Sequence, residues 1–450
     1  MPSILLLGSG FVAHPTLAYL ARRKENQITV ACRTQAKAQA FVGDIPNAKA
    51  IALDVSDEAA LEKAVSQHDL VISLIPYTYH AAVMKAAIKF GKHVCTTSYV
   101  NPQMAELEEA AKKAGSICMN EIGVDPGLDH LYAIKTISEV HNEGGKIKSF
   151  LSYCGGLPAP EDSNNPLGYK FSWSSRGVLL ALRNSAKFYK DGKLVTIDGP
   201  DLMDSAKPYF IYPGYAFVCY PNRDSTVYKE RYDIPEAETV IRGTLRYQGF
   251  PEFVHCLVDM GFLDDTPRDF LNPSEPGMPW KEVVAKVIGA PSSSEADLVK
   301  TIVAKHTFKD EDDKKRIING LKWLHMFSAK PVTPRGNPLD TLCATLEELM
   351  QFGEGERDML ILQHKFEIET KEGKKQTRTC TILDYGHPDG YTSMARLVGI
   401  PCGVASQQIL DGVINTPGVL APNDMAMCQP LIDDLAKEGI KLEEEIIDEE

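Results

Sequence analysis

No stretch of this sequence approaches the ~18 uninterrupted apolar residues that a membrane-spanning helix needs. The apolar run after Pro2 already stops at Gly8, so neither a membrane span nor a secretory signal peptide is expected. Basic residues are also in short supply. The chain has 48 Lys and Arg against 61 Asp and Glu, a formal charge of −13. That balance argues against nucleic acid or an anionic membrane as a general partner, though not against a local basic pocket for a small anion. The ten cysteines form no C-x-x-C pair, and the eleven histidines include no H-E-x-x-H. No metal site is therefore expected, and buried thiols in a reduced, cytoplasmic protein are the simplest account. Fixed-period repeats and low-complexity blocks are missing too. At 450 residues the chain exceeds one ordinary core, which implies two or three domains.

What is present begins at once. Ile4 to Leu7 form an all-apolar run, as in a strand buried on both faces of a parallel sheet. Gly8-Ser9-Gly10-Phe11-Val12-Ala13 follows, a G-x-G-x-x-A turn in which glycine allows a sharp bend and close approach of a pyrophosphate to backbone N–H groups. Alone the motif is also compatible with an ordinary strand-to-helix turn. Its setting favours a dinucleotide: Pro15 suits a first helical turn, Leu17 to Arg23 continue a helix, and the apolar strand Ile28 to Ala31 closes a βαβ unit. At the end of that strand stand Cys32, Arg33 and Thr34, where an NAD site would place an acid. A guanidinium and a hydroxyl suit a ribose 2′-phosphate, which points to NADP(H). The competing reading is a solvated arginine with no bearing on cofactor choice.

Strand and helix patterns then alternate. Strands are expected at 50–55, 69–75, 93–98 and 116–122, and helices at 56–66 (opening on a capping Ser56), 79–90 and 102–113. Six β segments in β-α repetition give an α/β fold with a doubly wound parallel sheet, which binds ligands beyond the carboxyl ends of its strands. The residues at that edge are Ser9, Gly10, Phe11, Val12, Arg33, Thr34, Asp54, Val55, Ile75, Tyr77, Thr97, Ser98, Tyr99, Val124 and Asp125. Asp54 could accept from an adenine amino group, while Ile75, Pro76 and Tyr77 offer apolar contact near ribose and nicotinamide. Each is equally an ordinary loop residue when taken alone; their common edge is the argument.

After Asp125 the pattern changes. Lys146 to Leu151 reads as a strand, and Cys154 to Pro160 as a rigid, turn-rich loop. Tyr220 to Asp224 and Gly243 to Arg246 read as loops of a second α/β domain, and loops often carry binding residues. Amphipathic helices prevail from about 251 to 350, a strand pair is expected at 359–368 and 377–383, and helical text returns at 392–397 and 405–411. Gly418 to Pro422 reads as a compact loop and Glu443 to Glu450 as a solvated, partly frayed tail.

Gly8-Ser9-Gly10-Phe11-Val12, Ala31-Cys32-Arg33-Thr34, Ser73-Leu74-Ile75-Pro76-Tyr77, Thr97-Ser98-Tyr99-Val100 and Gly123-Val124-Asp125-Pro126-Gly127 together resemble the saccharopine reductase family, the fungal NADP-dependent, glutamate-forming saccharopine dehydrogenases of the aminoadipate route to lysine. Tyr153 to Pro160 and Lys170-Phe171-Ser172-Trp173-Ser174-Ser175-Arg176-Gly177 extend the resemblance, which runs essentially end to end. It implies that L-2-aminoadipate 6-semialdehyde and L-glutamate condense to an imine that NADPH reduces to saccharopine. A homodimer is implied as well. The implied domains are a Rossmann domain of residues 1–125 plus about 391–450, a substrate-binding and dimerisation domain of about 126–250 and 351–390, and a helical insertion of about 251–350. Ser174 is implied as a cofactor contact, and Arg223, Thr244 and Leu245 as substrate contacts.

The residues themselves fit such chemistry. Saccharopine carries three carboxylates, so arginines are expected in its pocket, with Arg223 and Arg246 the candidates. A surface ion pair, for Arg223 with Asp224 or Glu230, is the plain alternative. Asp125 could bind the substrate ammonium, orient the imine and shuttle a proton if burial raises its pKa; it could instead only cap the next helix. Tyr99 could hydrogen-bond a carboxylate or the amine, and Cys154 is more often a small buried residue than a nucleophile. Because the substrate amine is itself basic, no strong protein base is required. Two other readings stay open: a related oxidoreductase such as a carboxyspermidine dehydrogenase, whose polyamine would favour acidic pocket residues, and a non-catalytic NADP-sensing regulator.

Overall fold

The computed structural model describes residues 1–172 and 174–448; Trp173 of the serine-rich motif and the terminal Glu449 and Glu450 lie outside the described residues. Strand β1 (Ser3–Leu7) leads into helix α1 (Ala13–Ala21), then β2 (Gln27–Cys32), α2 (Gln35–Val42), β3 (Ala48–Ala52), α3 (Glu58–Ser66), β4 (Leu70–Ser73), α4 (His80–Lys89), β5 (His93–Thr96), α5 (Pro102–Ala105), α6 (Glu108–Ala114), β6 (Ile117–Met119) and α7 (Leu128–Asn142). Ile4 to Leu7 are fully buried, and β1 pairs in parallel with both β2 and β4. Two local expectations need correction. Helix α3 is capped by Asp57, which accepts from the Ala60 N–H at 3.0 Å; Ser56 instead gives its N–H and hydroxyl to Asp54 Oδ1. The expected helix 102–113 is two helices, α5 being capped by Asn101 and α6 starting after Leu107, whose N–H turns to the Met104 carbonyl.

Next come β7 (Lys146–Pro158), α8 (Ser175–Ala181), β8 (Ala186–Lys190), β9 (Lys193–Ile197), β10 (Lys207–Pro208), β11 (Phe217–Pro221), α9 (Tyr228–Arg231), β12 (Thr239–Tyr247), α10 (Phe250–Asp259), α11 (Trp280–Ile288), α12 (Glu295–Lys305), α13 (Glu311–Trp323), α14 (Pro338–Leu349) and β13 (Asp358–Glu369). Residues 154–158 and 243–246 are therefore strand, not loop. Their glycines serve close packing rather than turning. A Cβ on Gly155 would lie 2.9 Å from Leu245 Cβ, and one on Gly243 only 2.3 Å from the Tyr220 carbonyl oxygen. Strand β12 runs parallel to β7, with Thr244 opposite Cys154, and antiparallel to β11. The helices from α10 to α14 share one apolar core with these strands, in which Phe253, Trp280, Leu321 and Leu339 pack with Phe217, Leu245 and Ile361.

The chain closes with β14 (Lys375–Tyr385), α15 (Ser393–Leu410), β15 (Gly418–Leu420), α16 (Met425–Lys437) and β16 (Glu443–Asp448). Helix α15 is one continuous helix through Pro401, started by the Thr392 hydroxyl. Strand β15, expected as a loop, pairs in parallel with β6 and makes the first sheet seven-stranded in the order β15-β6-β5-β4-β1-β2-β3. The order reverses between β1 and β4, the switch point at which doubly wound sheets take their ligands. The acidic tail is also ordered through Asp448: β16 pairs antiparallel with β14, and Lys135 Nζ lies 2.7 Å from Glu444 Oε1, while its side chains remain exposed.

Two compact units result, one of Met1–Ile147, Glu367–Ile382 and Gly390–Glu450, the other of Lys148–Phe366 and Leu383–Asp389. Among the described residues no helix is long and apolar enough to cross a membrane, and all ten cysteines are free thiols.

Within the first unit α15 lies directly on α1. Thr16 Oγ1 donates to the Gly399 carbonyl at 2.7 Å, and a Cβ on Gly399 would sit 2.4 Å from the Val12 carbonyl oxygen. Alanine gains up to ~1 kcal/mol of helix propensity over glycine, but here it must push α15 away from the turn that starts α1. Gly399→Ala is expected to destabilise the protein by about 1–2 kcal/mol, within the usual cost of overpacking. Urea unfolding measures it, and equal or greater stability would show that the contact yields without cost.

Candidate active site

The turn after β1 is built for close approach on one side and open access on the other. Gly8 has φ 107°, and a Cβ there would lie 2.6 Å from the Leu74 carbonyl oxygen. Only glycine takes both that conformation and that contact. At Gly10 a Cβ would meet nothing within 4 Å, so the backbone just before α1 is free to meet a ligand. Ser9 and Val12 are half-buried, while Phe11 and Tyr77 at the same edge are 70% and 68% exposed. Arg33 and Thr34 stand exposed at the end of β2. The Ser56 hydroxyl and N–H beside Asp54 hold its carboxyl below the usual range, with a smaller pull from Arg33. Asp54 Oδ1 is thus engaged by Ser56. These residues fit a dinucleotide bearing a 2′-phosphate: an open glycine at a helix start, and a guanidinium with a hydroxyl at the ribose end.

The carboxyl ends of β4, β5 and β6 carry a second feature, a shelf formed by residues 96–100. Ser98 is held through its N–H, which donates to Thr96 Oγ1 at 3.3 Å, through its carbonyl, which accepts from the Glu121 N–H at 3.1 Å, and through its hydroxyl, 2.9 Å from His80 Nε2. The buried His80 ring also meets Ser73 Oγ at 2.8 Å through Nδ1 and Thr96 Oγ1 at 3.2 Å through Nε2. Burial pushes its pKa down to about 4, so the imidazole is neutral at pH 7. On the other side the Val100 N–H donates to Glu121 Oε1 at 3.0 Å, and Glu121 Oε2 lies 2.8 Å from His130 Nε2, both side chains being buried. Tyr99 Oη donates to Asp125 Oδ1 at 2.8 Å. Asp125 is half-buried, whereas 121–124 and 126–130 are buried. The N-cap of α7 is Gly127 without a side-chain cap, and Asp129 accepts from the Gly127 N–H. The edge residues Thr97 and Ile75 are half-buried, and Val124 is buried.

In the second unit Arg246 lies on β12, buried, with its guanidinium 4.9 Å from the Tyr169 ring centre and 5.3 Å from that of Phe250. Nη1 donates to the Leu245 carbonyl at 2.8 Å, while the buried Nε has no hydrogen-bond partner. Among the described residues no carboxylate pairs with it, which removes the surface ion pair as an explanation. A buried cation in that state favours an anionic ligand. Thr244 Oγ1 accepts from Asn222 Nδ2 at 2.8 Å, and the Leu245 side chain is fully buried, leaving its backbone for any contact. Arg223 is exposed at φ 51°; Asp224 accepts from the Thr226 N–H at 2.8 Å and lies 3.8 Å from Lys187 Nζ. Ser174 is exposed and caps α8, its hydroxyl accepting from the Gly177 N–H at 3.1 Å. Cys154, half-buried, belongs to β7.

Comparison with known proteins decides the family. Residues 4–119 match the Saccharopine dehydrogenase NADP binding domain and residues 123–440 the Saccharopine dehydrogenase C-terminal domain. The chain belongs to the saccharopine dehydrogenase family. It is 85% identical, over 100% of both chains, to "Saccharopine dehydrogenase [NADP(+), L-glutamate-forming]" of Schizosaccharomyces pombe. A solved structure, "Apo histidine-tagged saccharopine dehydrogenase (L-Glu forming) from Saccharomyces cerevisiae", matches with TM-score 0.93 and 58% identity over 99% of this chain and 100% of that one. "Alpha-aminoadipic semialdehyde synthase, mitochondrial" of Bos taurus is 37% identical over 97% of this chain and 47% of its own length. Within this saccharopine dehydrogenase fold, sequence reading missed His80, Glu121 and His130. Their partners lie 7 to 21 residues away at other strand ends, and a histidine in an apolar helix or a lone glutamate carries no spacing signal.

His80 protonates near pH 6.5 when unfolded and near about 4 when folded. Between those values the unfolded state binds more protons, so its contribution is full above pH 6.5 and is lost as pH falls toward 4. The gap of about 2.5 units corresponds to about 3 kcal/mol. His80→Gln keeps a donor and an acceptor but does not titrate. The wild-type protein should therefore lose about 2–3 kcal/mol relative to the variant between pH 6.5 and 4 in urea unfolding; parallel profiles would show that His80 does not carry the acid limb.

Proposed function

We infer that this chain is an NADP(H)-dependent oxidoreductase that condenses L-2-aminoadipate 6-semialdehyde with L-glutamate and reduces the resulting imine to saccharopine, reversibly, in lysine biosynthesis. The observation that carries the reading is the full-length identity to the L-glutamate-forming enzyme, in a chain with an open glycine turn, Arg33 at the ribose end and a buried guanidinium without a carboxylate. The cofactor supplies the hydride when bound. Gly10, Val12, Arg33 and Thr34 hold its phosphates, with Ser9, Phe11, Asp54, Val55, Ile75, Tyr77, Thr97, Ser98, Val124 and Ser174 as further contacts.

The remaining chemistry is positioning and charge. Arg246 and Arg223 take carboxylates of the substrate, with Thr244 and the Leu245 backbone beside Arg246. Asp125, oriented by Tyr99 Oη, accepts from the substrate ammonium and stabilises the iminium charge that makes the carbon electrophilic. The Ser98 hydroxyl, oriented by His80, fixes the substrate against the shelf. No strong base is needed, because the substrate amine carries the proton that imine formation and reduction exchange.

The Rossmann, substrate-binding and inserted helical roles of residues 1–125 with about 391–450, of about 126–250 with 351–390, and of about 251–350 belong to the same proposal. So do the homodimer and the cytoplasmic location, the latter supported by ten free thiols.

A polyamine substrate is disfavoured by Arg246, which would bury a second cation against it. Purified protein should oxidise NADPH only when semialdehyde and glutamate are both present, and far more slowly with NADH. Arg246→Gln should raise KM for one carboxylate substrate ~10- to 100-fold, the worth of a lost charge-assisted pair. NADPH binding without turnover would leave a cofactor-sensing regulator as the function, and activity with a diamine in place of glutamate would move it to polyamine chemistry.

A further inference from the structure

The helical part of the second unit holds a polar cluster that the reaction does not use. On α10, His255 and Asp259 stand one helical turn apart, and His306, the residue after α12, closes on the same carboxylate. His306 Nδ1 lies 2.7 Å from Asp259 Oδ2, and His255 Nε2 lies 3.6 Å from Asp259 Oδ1. The two rings meet edge to face at 5.1 Å. One donor atom from each of the three residues falls within 4.8 Å of the other two. Behind them Asp204, in the 3₁₀ turn Met203–Ser205, brings Oδ1 to 2.7 Å from His255 Nδ1.

Charge makes this arrangement informative. Two carboxylates face two imidazoles, and among the described residues neither carboxylate has a Lys or Arg partner. The set offers two imidazole nitrogens and a carboxylate oxygen at one point, with a second carboxylate beside them. The contact at 3.6 Å is too long for a hydrogen bond, so no shared proton bridges His255 Nε2 and Asp259. Asp204 Oδ1, 2.7 Å from His255 Nδ1, stands on the side of the ring away from Asp259, where an outer carboxylate commonly supports a metal-binding histidine.

We propose that His255, Asp259 and His306 bind a divalent transition-metal ion, Zn²⁺ being the best match to two nitrogens and one oxygen, with a fourth position for water. The hard ions Mg²⁺ and Ca²⁺ prefer all-oxygen sets. His306 is buried, while His255 and Asp259 keep 21% and 28% of their side chains exposed, which gives the ion a path from solvent. It would brace the start of the loop after α12 against α10 and the 203–205 turn. The spacing of 47 residues between Asp259 and His306 is why no motif shows in the sequence.

The test uses the full-length protein, stripped with a chelator and titrated with Zn²⁺ alone by calorimetry, with Co²⁺ as a visible-absorption probe. One equivalent per chain is expected, with a higher melting temperature when Zn²⁺ is bound. Asp259→Asn and His306→Gln should abolish retention. Asp204→Asn, at an exposed side chain that folding tolerates, should weaken it ~10- to 100-fold. No retention by the unmodified protein would overturn the proposal. Retention unchanged in both Asp204→Asn and His255→Gln would overturn it equally.

Discussion

The first unit depends on how Ser98 is held. Its N–H, carbonyl and hydroxyl are each fixed, by Thr96, by the Glu121 N–H and by His80, and the Val100 N–H is tied to the Glu121 carboxylate. A strand end normally leaves such groups to water, which would let the segment move. Here buried side chains take water's place, and the hydrogen bonds of Glu121 and His130 are satisfied out of solvent. The outcome is a rigid ledge at the end of a parallel sheet, beside the switch point where the strand order reverses. Tyr99 and Asp125 extend from that ledge, so their placement follows from the buried groups behind it.

Arg246 illustrates the opposite economy. A chain with a net charge of −13 has carboxylates in plenty, yet this guanidinium is buried among Tyr169 and Phe250 with an unsatisfied Nε. Aromatic faces offset part of the desolvation but do not replace an anion. A site proposed to accept a carboxylate from outside has to withhold one of its own. Lys170, equally buried, shows the contrast, because its ammonium already has the Glu356 carboxylate at 2.5 Å.

Much of the first sheet was legible because its strands are uninterrupted apolar runs and its first turn needs glycine for reasons visible in one dimension. The edge residues Arg33, Ser98, Tyr99 and Asp125 followed from topology. The second unit was harder, since glycine and proline were read as punctuation. Gly155 and Gly243 instead admit neighbouring strands at distances no side chain permits. Strand β15 is three residues long, too short for a pattern, and β16 is acidic text that pairs only because β14 offers an edge. His80, Glu121 and the trio around Asp259 were invisible for a common reason: their chemistry lies in pairings between distant elements, and their residue types alone fit any polar surface.

The central proposal is that the Arg246 guanidinium takes a carboxylate of the substrate. A crystal structure of the protein with NADP⁺ and saccharopine tests it most directly. The account predicts a saccharopine carboxylate on Arg246, with the guanidinium Nε at last paired. Saccharopine bound without touching Arg246 would contradict it.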